Sequence, residues 1–204
     1  MRISAGTLQW RLAAIAALCA AIAACAAAAG PRTDEFLDER TGANVTVMHQ
    51  AFTFAMERST LAAHARDYVS LAAAEVDRSG QAQLYLIGYF WSTIDRRNAA
   101  AAPSSTAMAI ELIADGRRIR LRPDAALPRD LRAKRQLLAP AASHFEEAAY
   151  PVSLELLRYI AGSRVLVLRL ADDTREEDEA DSYQLWTDAR PELRAFTQRV
   201  APTG

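Results

Sequence analysis

The stretch that decides the fold is YVSLAAAEVDRSGQAQLYLIGYFW, residues 68–91. Its first half, Tyr68 to Val76, holds enough alanine for a helix. It runs into Asp77-Arg78-Ser79-Gly80, a strong turn signal, and emerges as the aromatic, β-rich run Leu84-Tyr85-Leu86-Ile87-Gly88-Tyr89-Phe90-Trp91. A hairpin explains both arms and the turn, whereas a helix explains only the first arm, so the hairpin is the preferred reading. A second hairpin is clearer still. Thr106 to Ile113 leads through Ala114-Asp115-Gly116 into Arg117 to Arg122, where Ile119 and Leu121 face one way and Arg118, Arg120 and Arg122 the other.

Working outward, Asn44 to Arg58 alternates without a break. Val45, Val47, His49, Ala51, Thr53 and Ala55 fall on one side, and Thr46, Met48, Gln50, Phe52, Phe54 and Met56 on the other, which predicts one interior strand. Residues 59–66 suit a short helical turn, and 96–105, with Ala99–Ala102 before Pro103, read as a loop. Pro128 opens a helix to about Leu138 with Leu131, Leu137 and Leu138 on one face. Ser153 caps a helix buried through Leu156, Leu157 and Ile160 and stopped at Gly162. Arg164–Leu170 and Ser182–Trp186 predict strands on either side of the acidic run Asp172–Asp181. Asp188 caps a last helix that admits Pro191 in its first turn and turns Leu193, Phe196 and Val200 inward. Strands joined by short turns, without regular strand–helix alternation, predict an α+β domain. It is mainly an antiparallel β-sheet, or sandwich-like, with two to four short helices packed at the side.

The chain has 204 residues, 24 Lys+Arg against 25 Asp+Glu, three His and two Cys, with 51% apolar residues and a formal charge of −1. That is enough apolar content for a core and too little positive charge for a dedicated nucleic-acid binder. Lys134 is the only lysine. It is not in a Gly-Lys-Ser/Thr phosphate loop or a Ser-x-x-Lys nucleophile pair.

The amino terminus carries the most specific signal. Arg2 and Arg11 precede an alanine-rich apolar run from Leu12 to Ala29, with no acid before it. Within it, Ile22-Ala23-Ala24-Cys25 resembles the lipobox of bacterial lipoproteins. The resemblance implies cleavage before Cys25, a diacylglyceryl group on its sulfur and an acylated new amino terminus. Cys19 matches less well, because Leu18 stands where a small residue is wanted. A soluble periplasmic protein after ordinary cleavage and an uncleaved membrane helix are the competing readings. Alanine is only marginally lipophilic, which weakens the latter. Without twin arginines the general secretory route is expected. In that family a residue other than Asp after the cysteine goes with outer-membrane sorting, so the resemblance, with Ala26 at that position, implies the outer membrane, with the domain facing the periplasm.

The expected organisation is then a signal peptide over 1–24, the lipidated cysteine and a tether over 25–43, and one globular domain over 44–204. Loss of residues 1–24 removes two arginines and no acid, leaving 180 residues with 22 basic against 25 acidic side chains, formally −3. With Cys25 acylated, no thiol is left for a disulfide.

Candidate chemistry is sparse. His49, His64 and His144 show no metal-ligand spacing, and no Gly-x-Ser-x-Gly marks a serine nucleophile. Glu146-Glu147 and Glu176-Glu177 are sequence neighbours of the kind found on solvated surface. The run 172–181 lacks the Asp-x-Asp-x-Asp-Gly order of a calcium loop. No catalytic residue, metal site or cofactor is therefore assigned. Arg118, Arg120 and Arg122 are the candidate contact for an anionic ligand such as a lipid head group. Tyr85, Tyr89 and Trp91 read as core or sheet-face aromatics, with Trp91 at a strand end as a candidate sugar-stacking ring. The expected role is binding or scaffolding at the envelope, with the membrane, another envelope protein or anionic lipid as partner. An envelope hydrolase and an accessory subunit of an envelope assembly are the alternatives.

Overall fold

The structure is a computed structural model that describes residues 32–58, 64–93, 108–124, 128–132, 139–142, 144–171 and 182–201. Its ten strands in chain order are β1 (Thr33–Asp38), β2 (Ala43–Met48), β3 (Phe52–Glu57), β4 (Arg66–Arg78), β5 (Gln81–Ser92), β6 (Ala109–Ala114), β7 (Arg117–Leu121), β8 (Glu146–Pro151), β9 (Leu166–Ala171) and β10 (Ser182–Thr187). The three helices among the described residues are α1 (Arg129–Arg132), α2 (Leu154–Gly162) and α3 (Arg190–Arg199). The described chain is thus mostly antiparallel β-sheet with few helices. None of the described helices is long and apolar enough to cross a membrane.

The hairpin β4–β5 is the axis. Ser79 and Gly80 both take positive φ, 56° and 85°, and the two arms pair over their whole length, Arg78 opposite Gln81 through Asp67 opposite Ser92. The second edge of β4 is shared: β2 pairs with residues 74–77 and β3 with residues 66–71. From β2 the sheet ends at β1, while from β3 it continues through β10, β9 and β6 to β7. Strand β8 pairs with the far edge of β5.

Both faces of the axis are buried, which is why its sequence is apolar almost throughout. One face sends Val69, Leu71, Leu86 and Phe90 into a core with Phe52, Phe54, Ile110, Leu112, Leu168, Leu157 and Phe196. The other sends Ala72, Ala74, Val76, Tyr85, Ile87 and Tyr89 into a smaller core with Val45, Val47, Leu131 and Ala149. Helices α2 and α3 close the larger core through Leu157, Ile160, Leu193 and Phe196. Helix α2 starts where predicted, with the Ser153 hydroxyl accepting the Leu156 N–H at 3.1 Å.

Ionic contacts pin the elements. Asp130 of α1, fully buried, pairs with Arg78 at the end of the axis. Burial would raise its carboxyl, but hydrogen bonds from Thr41 and Arg78 hold it below the usual aspartate range. Asp115 in the β6–β7 turn accepts the backbone N–H groups of Arg164 and Val165, at 3.0 and 2.9 Å, tying the turn to the start of β9. Those amides, Val165 first, hold its carboxyl low. We expect Asp115→Ala to lower the melting temperature at neutral pH and Asp115→Asn to recover part of the loss. Asparagine keeps an acceptor and tolerates the φ of 47°. Equal melting of the alanine variant and the parent would overturn this.

Across β1, β2 and β4, Glu35, Thr46 and Glu75 lie in one row, and Arg199 of α3 pairs with Glu35. The Glu75 carboxyl is pushed up, chiefly by burial and then by Asp77 and Glu35, with Arg199 opposing. A raised carboxyl binds its proton more tightly when folded, so its contribution is present at low pH and falls as pH rises through the raised value. Glu75→Gln is therefore expected to gain denaturation midpoint over the parent as pH rises from about 4 to about 7. A constant difference across that range would contradict the assignment.

Several expectations change. The single strand over Asn44–Arg58 is two strands, β2 and β3, broken at the exposed His49-Gln50. The β4 register moves from Val47 opposite Ala74 to Phe52 opposite Leu71, so the break adds two residues to one side. An even insertion leaves side-chain faces unchanged, and Val45 and Val47 still oppose Met48, Phe52 and Phe54 as predicted. The segment 25–43, expected as a tether, contains strand β1, Thr33–Asp38, and the first residue of β2, Ala43. Strand β8 was not expected at all. The cap of α3 is Ala189 rather than Asp188, whose carboxylate instead accepts the Arg190 N–H at 3.0 Å and grips the Arg190 guanidinium. Helix α2 ends on the hydroxyl of Ser163, which donates to the Ile160 carbonyl at 2.8 Å, one residue beyond the expected Gly162 stop. Of the helix predicted over 128–138 only Arg129–Arg132 is described; the acidic run and the 96–105 loop lie outside the described residues, as do 59–63 of the predicted helical turn. The end of that turn, Arg66, already belongs to β4.

Candidate functional site

The face of the sheet opposite the larger core carries the candidate site. On β7, Ile119 and Leu121 turn to the core while Arg118 and Arg120 are exposed, and Arg122 just beyond the strand is exposed as well. Paired residues extend this face strand by strand. Arg118 lies opposite Ile113, Ile113 opposite Val167, Val167 opposite Gln184, Gln184 opposite Ala55, Ala55 opposite Tyr68 and Tyr68 opposite Trp91. One row thus crosses seven strands, from β7 to β5, over roughly 29 Å at the usual strand spacing. The adjoining row sets Arg120, Glu111, Arg169 and Ser182 side by side.

The β7 end of the face is rich in arginine and the β5 end in aromatic rings. Tyr68 and Trp91 stack across β4 and β5 with centroids 5.2 Å apart and planes 11° from parallel. Trp186 stands out of β10 where the register with β3 slips between Leu185 and Thr187. Such a bulge re-aims a side chain. Its ring is 60% exposed, and the Arg66 guanidinium lies 4.9 Å from its centroid. Arg66 is held in turn by Glu57 at 2.9 Å. Trp186 presents its ring at the surface, Tyr68 and Trp91 are half-buried with Trp91 packed against the smaller core, and the guanidinium groups present forked donors for carboxylate or phosphate.

The other candidates do not converge. His49 is exposed in the β2–β3 turn, its Nδ1 3.0 Å from Asp34 Oδ2. His64 and His144 are exposed in separate segments before β4 and β8. Glu146 and Glu147 are successive residues of β8, paired with Phe90 and Tyr89, and so point to opposite faces. Among the described residues no three His, Cys, Asp or Glu side chains are grouped to hold a metal ion. Tyr85 and Tyr89 are core residues, and Tyr89 meets Phe145 edge-on at 5.4 Å. Cys25 lies outside the described residues. Reasoning from the sequence missed Tyr68, Arg66 and Trp186. Counting equally outward from the Ser79-Gly80 turn would have placed Tyr68 opposite Trp91, whereas nothing local marks the bulge at Trp186.

Compared with protein-family models, curated proteins and solved structures, the chain has no match.

Proposed function

We propose that this chain is an exported, lipid-anchored protein of the bacterial outer membrane whose sandwich-like domain faces the periplasm and works by binding through its open sheet face. The observation that carries the binding role is that face itself. Arginines and aromatic rings share one surface there, and helices α2 and α3 pack on the opposite side. The anchor rests on Ile22-Ala23-Ala24-Cys25. A second reading, an accessory subunit of an envelope assembly, draws on β7, which among the described strands pairs with β6 alone.

Intact mass and N-terminal peptide analysis of the protein extracted from membranes tests the anchor. The expected chain begins at Cys25 and carries lipid on its sulfur and an acyl group on its amine. A chain starting elsewhere, or an unmodified Cys25, would overturn it.

A further inference from the structure

We propose that the open sheet face binds an anionic glycan, sugar rings lying against Trp186 and the Tyr68–Trp91 pair and acidic groups meeting the arginines at the β7 end. The proposal deepens the reading that the domain acts by binding and does not depend on the lipid anchor.

Charge complementarity chooses the sign of the ligand. The whole chain is formally −1, yet this face gathers Arg66, Arg118, Arg120, Arg122 and Arg169 against Glu57, Glu111 and Glu147. The aromatic half chooses a sugar over a lipid surface. Trp and Tyr also serve at bilayer interfaces, where each ring sits singly among the head groups, whereas here two rings are locked in a cross-strand stack and a third is pinned by a guanidinium. Rings held in one orientation lose little freedom on contact, the condition for stacking on a flat apolar ligand face. Trp186 is the sharpest observation. The ring sits outside both cores, on a residue inserted into β10, and no apolar cluster gains from it. The row from Arg118 to Trp91 is long enough for several sugar units, so one chain can meet both halves.

The test uses the full chain purified in neutral detergent micelles, pelleted with peptidoglycan sacculi and with polygalacturonate beads, and with dextran beads as an uncharged control. The parent should bind both anionic glycans and not dextran. Trp186→Ala should weaken binding about tenfold, and so should the combined change of Arg118, Arg120 and Arg122 to Gln. Trp186→Phe should restore part of the loss. All these positions are exposed, and unchanged thermal melting checks that each variant is folded. No binding to either anionic glycan would overturn the proposal, as would binding that neither variant weakens. Capture by micelles doped with phosphatidylglycerol, without glycan binding, would overturn it in favour of a lipid surface. An unmodified Cys25 with intact glycan binding would defeat the anchor alone.

Discussion

Cys25→Ser is expected to abolish incorporation of labelled palmitate and to remove the protein from the outer-membrane fraction. The chemistry is specific to sulfur: a thiol ionises near neutral pH and its thiolate is the nucleophile, whereas a serine hydroxyl stays protonated. The physical consequence is all-or-none. Each buried methylene of an acyl chain contributes about 0.8 kcal/mol, one chain holds a protein only reversibly, and several chains together hold it firmly. Cys19→Ser should change neither labelling nor fractionation, because Leu18 precedes it. Label retained in Cys25→Ser would sink the anchor.

What the sequence revealed and what it concealed have physical reasons. Both tight hairpins were legible because Ser79-Gly80 and Asp115-Gly116 carry the positive φ that two-residue turns demand. Helices α2 and α3 were legible because their apolar spacing meets one core. Strand β1 was hidden because it is an edge: Thr33-Asp34-Glu35-Phe36-Leu37-Asp38 has weak alternation, and Leu37 is exposed. Strand β8, with two glutamates and two alanines, has little β-preference of its own and is held by pairing with β5. The break between β2 and β3 was invisible because its two extra residues preserve the alternation. In the site, the arginine stripe could be read from period two alone. Its continuation to Trp91 could not, because it depends on the order β7–β6–β9–β10–β3–β4–β5, a matter of long-range pairing.

Within the larger core, Gly88→Val is expected to destabilise the fold by roughly 3 kcal/mol and Gly88→Ala by about 1–2 kcal/mol, measured by chemical denaturation. A Cβ built on Gly88 would lie 3.0 Å from Cε2 of Tyr150 and 3.2 Å from Cε2 of Phe90. Tyr150 is fully buried, and its hydroxyl donates to the Met108 carbonyl at 2.8 Å, so the ring cannot swing aside without stranding that carbonyl. Burial pushes the phenol further up from its ordinary range, which keeps it protonated as the donor. Two effects oppose one another. Replacing glycine stiffens the unfolded chain and stabilises by about 0.4–1 kcal/mol, while overpacking a close-fitted core costs about 1–3 kcal/mol. The second is larger, and more so for the branched valine, which must place two methyl groups where one carbon is already too close. Tyr150→Leu removes the ring that the new Cβ meets. The alanine substitution should therefore cost less in a Tyr150→Leu background than in the parent, a coupling of about 1 kcal/mol in a double-mutant cycle. A Gly88→Ala variant as stable as the parent would show that the Tyr150 ring yields, and that this contact does not fix the packing of β5 against β8.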